Sequence, residues 1–214
     1  MHGGTLIAKQ DVDEAIAKGK GVILACPHFF CHELAAAAIN LRHPVVALVR
    51  ESKSSTREAM KKRWYQATGM KIVKRPRRAS LIADTISTIR SLRDGAILGI
   101  TPDVIMPPEK GISVRMLGRE VILSPGIVAL SLRVGSPVIV PFGTWIHGRS
   151  PAFDRVVLSF DRLDFGPGKA SDATHVQRGL QRWCEIYEER LRLRPEYWMF
   201  WLDKNWTRAF ERGA

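Results

Sequence analysis

Residues 21–49 read GVILACPHFFCHELAAAAINLRHPVVALV. GVILAC (21–26) is a short apolar run of strand length that should end near Pro27, HELAAAAINLR (32–42) favours helix, and PVVALV (44–49) is a second strand-like run. The alternation continues on both sides. DVDEAIAKGK (11–20) has the spacing of a short amphipathic helix. SSTREAMKKRWYQATG (54–69) is a helix opened by a Ser/Thr cap and closed by Gly69. MKIVKR (70–75) is a strand, LIADTISTIRSLRDG (81–95) a helix and AILGIT (96–101) a strand. Short buried strands alternating with amphipathic helices predict an α/β fold with a central, mostly parallel sheet flanked by helices.

Beyond the turn-rich TPDVIMPPEKG (101–111) come VRMLGREV (114–121), a helix started by Pro125 (125–135), the strand PVIVPFGTWI (137–146) and the strand RVVLSF (155–160). A long amphipathic helix is predicted over about 173–193, followed by RPEYWMFWLDKNW (194–206). Trp198, Trp201 and Trp206 in that segment are expected mainly to pack in the core, with a lipid-facing surface as the alternative. No internal repeat, low-complexity tract or linker interrupts the chain, so one domain over 1–214 is expected.

At 214 residues, with 45% hydrophobic content, the chain can bury one substantial core. Its three cysteines, Cys26, Cys31 and Cys184, form no even framework and no C-x-x-C pair, and no signal peptide is evident. A reducing, cytoplasmic setting is expected. The apolar runs fall short of the roughly 20 residues that span a bilayer. The net charge of +12 is concentrated between Arg50 and Arg78, where eleven Lys and Arg face two acids. Such a run is a solvated face, or it meets an anionic membrane surface, an acidic carrier protein or nucleic acid. Nucleic acid is disfavoured because zinc-finger spacing, RNA-binding aromatics and a helix-turn-helix are all missing.

CPHFFCHE (26–33) packs Cys26, His28, Cys31, His32 and Glu33 into eight positions. Three readings stand for it: a metal site, proton transfer through His28 and Glu33, or helix-start chemistry. Metal binding is disfavoured because the spacing fits neither H-E-x-x-H nor paired C-x-x-C. His28 would sit beyond the carboxyl end of a strand, where open α/β sheets bind ligands and where helix-start amides face a developing oxyanion.

PHFFCHELA (27–35) resembles the H-x4-D/E motif of the lysophospholipid acyltransferase superfamily, closest to the bacterial lipid A biosynthesis lauroyl/myristoyl acyltransferase branch. Four further blocks follow in family order: the basic stretch 50–75, LRDGAILGITPDV (92–104) with its Pro-Asp motif, LGREVILSPGIVALSLRVGSPVIVPF (117–142) and YEERLRLRPEYWMFWLDKNW (187–206). The Phe-Pro-Glu-Gly-Thr-Arg block of glycerol-phosphate-type members is absent. Two departures stand out. Only about twenty residues precede the first strand where relatives carry a membrane anchor, and Val104 follows the Pro-Asp motif in place of Gln.

The resemblance implies acyl transfer from a thioester of acyl carrier protein or coenzyme A to a hydroxyl or amine of a lipid-type acceptor. It implies His28 as general base and Glu33 as its catalytic partner. On a regular helix a five-residue offset turns about 140°, so the pair needs His28 in the turn before the helix, folding back onto Glu33. Arg50 is expected to bind phosphate or stabilise charge, or to be a surface arginine. Asp103 is expected to orient substrate or an arginine, or to cap a turn. The acceptor would attack directly, leaving Cys26 and Cys31 as bystanders, with no metal or cofactor. A soluble acceptor, and ester or thioester hydrolysis with water, are the alternatives; no G-x-S-x-G elbow supports a serine hydrolase. A cytoplasmic location, at the inner membrane face for a lipid acceptor, would follow.

Overall fold

The computed structural model describes residues 9–75, 81–149 and 155–211. Side chains of residues 9–11, 50, 75 and 81–85 lie outside that description. Eight strands and seven α-helices alternate along these segments: α1 (Lys9–Ala17), β1 (Val22–Ala25), α2 (His32–Asn40), β2 (Val45–Arg50), α3 (Ser55–Thr68), β3 (Lys71–Arg75), α4 (Leu81–Arg93) and β4 (Ile97–Ile100), then β5 (Ile112–Met116), β6 (Arg119–Leu123), α5 (Gly126–Val134), β7 (Val138–Ile146), β8 (Arg155–Leu163), α6 (Ala173–Leu193) and α7 (Lys204–Glu211).

Six strands form one sheet in the order β3-β2-β4-β1-β7-β8. Its pairings are parallel except β7 with β8. Strand β1 is central and buried on both faces. Ile23 and Ala25 pack into one core cluster, and Val22 and Leu24 into another on the opposite face. That is the period-two alternation of a strand covered by helices on both sides, and it explains a continuous apolar run in place of an apolar–polar pattern.

The helix ends obey local chemistry. Ser54 accepts a hydrogen bond from the Arg57 N–H at the start of α3, and Gly69 ends the helix at φ 67°, the left-handed conformation that glycine adopts without steric cost. Asp172 caps α6 by accepting from the His175 N–H at 3.0 Å. Helix α6 buries Val176, Leu180, Trp183, Tyr187 and Leu191, a stripe at helical spacing against the core. VRMLGREV, left without an element by its sequence pattern, forms the antiparallel β5–β6 hairpin. Leu117 and Gly118 turn it with φ of 52° and 74°, the positive dihedrals that a two-residue hairpin turn requires. Helix α2 stops at Asn40, two residues before the end its composition suggests. No helix of the described residues is long and apolar enough to cross a membrane.

Candidate active site

Strands β1 and β4 are parallel neighbours, with Ala25 in register with Ile100. The Cys26 N–H donates to the Ile100 carbonyl at 2.8 Å, extending the ladder one step past β1. His28 follows Ala25 by three residues, and Asp103 follows Ile100 by three. Register alone therefore brings the two side by side at the carboxyl edge of the sheet, the edge where open α/β sheets bind ligands.

The His28 ring Nδ1 lies 2.8 Å from Asp103 Oδ1, and the His28 backbone N–H donates to Oδ2, also at 2.8 Å. Trp198 Nε1–H donates to the same Oδ2 at 3.1 Å. Among the described residues Asp103 is the one charged side chain that is fully buried, at 0% exposure. A buried carboxylate without partners would cost several kcal/mol, so its three donors are a condition for its presence. An ionised carboxylate can only accept, so in the neutral imidazole the hydrogen sits on Nδ1 and Nε2 is the acceptor nitrogen. Among the described residues Nε2 has no protein partner.

The loop that carries His28 is tightly specified. Cys31 precedes α2 at φ 62°, a left-handed conformation that a non-glycine residue adopts only under constraint. A Cβ placed on Gly143 of β7 would collide with Cys31 Sγ and crowd the Phe29 ring, so a glycine there gives the loop room to lie on the sheet. The His28 carbonyl accepts from the Met199 N–H at 2.8 Å, and the imidazole stacks on Phe200 with ring centroids 4.1 Å apart.

His28, His32 and Glu33 line a cavity of about 340 Å³ with Leu48, Lys61, Tyr65 and Thr101. Glu33, in the first turn of α2, is exposed to it. Spacing pairs Glu33 with the imidazole; in the structure Asp103 occupies Nδ1, and among the described residues no hydrogen bond joins Glu33 to His28. Burial and then the Glu33 charge push the Tyr65 hydroxyl up to about 12, so it stands in the cavity as a neutral donor. Burial first, then the His28 charge, lowers the pKa of His32. Val49, Lys61 and Tyr65 also line a second, adjoining groove of about 420 Å³, which continues along α3 to Met70 and Ile72.

Burial pushes the Cys31 thiol up to about 12, and burial followed by the Asp103 charge raises Cys26 well above the usual thiol range. Both are neutral thiols near pH 7 and poor nucleophiles. Arg50 is the last residue of β2, and its side chain lies outside the described residues, as do Arg77 and Arg78 of the basic run. Of the rest, Arg57, Lys62 and Arg63 of α3, with Lys53, Lys71 and Lys74, are exposed. Among the described residues no group of three or more His, Cys, Asp or Glu is placed to hold a metal ion. Trp198 and Trp206 are buried, as expected, while Trp201 is 39% exposed. Sequence spacing gave no sign that two of these indoles bond to Asp103 or that Phe200 covers His28.

A histidine–carboxylate pair thus stands at the carboxyl edge of the mostly parallel sheet, beside a partly apolar cavity, in a single α/β fold. A family model of bacterial lipid A biosynthesis acyltransferases matches residues 4–208, and the chain belongs to that family. Among curated proteins no match is found. Membership makes the protein an acyltransferase of a family that serves lipid A-type acceptors.

Proposed function

We propose that the protein moves a fatty acyl group from an acyl thioester to a hydroxyl or amine of a lipid-type acceptor, with His28 as general base. The observation that carries this reading is the His28–Asp103 pair, with the free Nε2 at a cavity edge. Nε2 takes the proton of the acceptor as its oxygen or nitrogen attacks the thioester carbonyl, and Asp103 stabilises the imidazolium that forms. Collapse of the tetrahedral intermediate breaks the carbon–sulfur bond. The leaving thiolate recovers the proton from Nε2, so the ester or amide and the thiol leave a neutral imidazole behind. No acyl-enzyme is required, in keeping with two neutral thiols, Cys26 buried and Cys31 half-buried.

Glu33 takes part as the second carboxylate of the cavity, accepting a hydrogen bond from the acceptor while Asp103 orients the base. Helix α2 opens at the cavity, so its amino-terminal dipole and the Lys61 ammonium favour the developing oxyanion. The groove along Met70 and Ile72 suits the acyl chain, since it adjoins the His28 cavity and is walled by Val49, Tyr65 and lysine stems. Arg50, at the same sheet edge, is assigned to phosphate on the donor or acceptor.

The exposed basic residues of α3 favour acyl carrier protein, an acidic partner, as the donor; the phosphates of coenzyme A are the competing match. The same residues would also serve peripheral contact with an anionic membrane. The test is thiol release from acyl carrier protein and coenzyme A thioesters, with and without lipid A precursors. Release that requires acceptor and is lost in His28→Ala is expected. Equal release without acceptor would replace transfer by hydrolysis.

A further inference from the structure

The C-terminal segment reaches the pair at four places and the loop beside it at a fifth. The Phe30 N–H donates to the Tyr197 carbonyl and the Met199 N–H to the His28 carbonyl. Trp198 Nε1–H donates to Asp103 Oδ2 at 3.1 Å, and Trp206 Nε1–H donates to the Asp103 backbone carbonyl at 2.9 Å. Phe200 stacks on the His28 ring. Trp198 and Trp206 lie 4.8 Å apart, edge to face, so the two donors are fixed relative to each other.

These contacts do more than fill space. Packing alone would be met by any large apolar residue, whereas both indoles spend their single N–H on one aspartate, at its carboxylate and its carbonyl. Asp103 Oδ2 is shared between the His28 backbone and Trp198, so a carboxylate that rotated away would break both bonds at once. Oδ1 is thereby held on the imidazole in the absence of substrate.

We propose that Trp198 is a positioning residue of the active site, acting through Asp103, and that Trp206 and Phe200 complete the same clamp. The inference rests on His28 as the base and on Asp103 as its orienting carboxylate. Removing the indole N–H frees Oδ2 to swing and weakens control of the imidazole tautomer, which costs turnover and leaves substrate binding alone.

The test compares Trp198→Phe with Trp183→Phe. Trp183 is a fully buried core tryptophan stacked on Tyr187, with no hydrogen bond to Asp103. Two readouts are taken: steady-state kinetics, and the low-field proton resonance of the His28–Asp103 hydrogen bond without substrate. Trp198→Phe is expected to lower kcat by about 10- to 100-fold at unchanged KM and to move the resonance. Trp183→Phe is expected to lose thermal stability only. Equal kcat in the two folded variants, or a fall in kcat with the resonance unmoved, overturns the proposal. If Trp198→Phe does not fold, Phe200→Leu at the half-buried stacking position is read by the same two criteria. Should His28→Ala keep wild-type turnover, the functional reading fails, yet the resonance still reports whether Trp198 fixes Asp103.

Discussion

Asp103 holds His28 twice, one carboxylate oxygen on the ring Nδ1 and the other on the backbone N–H, each at 2.8 Å. Ring and main chain are thus fixed by one side chain, as a base with a defined tautomer requires.

The two carboxylates near His28 should separate kinetically. Asp103→Asn presents an amide N–H among three donors and is expected to lower kcat by about 100-fold or more with little change in KM. Glu33→Gln is expected mainly to raise KM for the acceptor, by about tenfold. Steady-state kinetics with acceptor as the varied substrate decides, and the reverse assignment of effects would make Glu33 the partner of the base.

Gly143→Ala should damage the site from behind. The added methyl meets Cys31 Sγ and the Phe29 ring, pushing on the loop that carries His28. Loss of about 1–3 kcal/mol of stability is expected from overpacking, with a fall in kcat larger than that of a comparably destabilised core variant. Chemical denaturation and turnover on the same preparation measure both.

Stability should fall on acidification through His32. Its folded pKa lies below the ordinary histidine value, with burial the first cause and the His28 charge the second. The unfolded chain therefore binds the proton more readily, and stability present above about pH 6.5 is lost as pH falls below that value. Urea denaturation between pH 5 and 8 should show a shallower slope in His32→Asn. Parallel curves for the two proteins would remove His32 from the account.

Charge reversal at Arg57 and Arg63 should raise KM for acyl carrier protein thioesters by about tenfold and flatten its salt dependence, with kcat unchanged. These residues are exposed on α3, whereas Lys61 is kept because it lines the cavity. A KM that stays at the wild-type value would mark these residues as merely solvated.

Bulk in the adjoining groove should select against long chains. Ile72→Trp is expected to raise KM for long-chain thioesters while short-chain donors react as before. A chain-length profile identical to wild type would place the acyl chain elsewhere.

Much of the sheet was legible because its strands are continuous apolar runs punctuated by Pro27, Gly69 and Gly95, and because α3 and α6 carry caps that act locally. His28 and Glu33 stood out for the same reason: they share one short stretch. Asp103 was legible as part of a Pro-Asp motif, yet its partner was not. That partnership depends on β4 lying beside β1 while β2 and β3 pass to the far side, a strand order that no local pattern encodes. The roles of Trp198, Phe200 and Trp206 were hidden likewise, since an indole buried for packing and one aimed at a carboxylate look the same in a sequence.

Because His28 and Asp103 each stand three residues past a registered pair of adjacent strands, the lengths of their two loops are locked together. A single residue inserted after Ala25 or after Ile100 would carry one partner out of reach while leaving the strand pairings of the sheet in place. Such a variant would lose the pair and, with Asp103 buried short of its donors, part of its stability as well. Loop length is therefore a constraint on the site that point substitutions alone would not reveal.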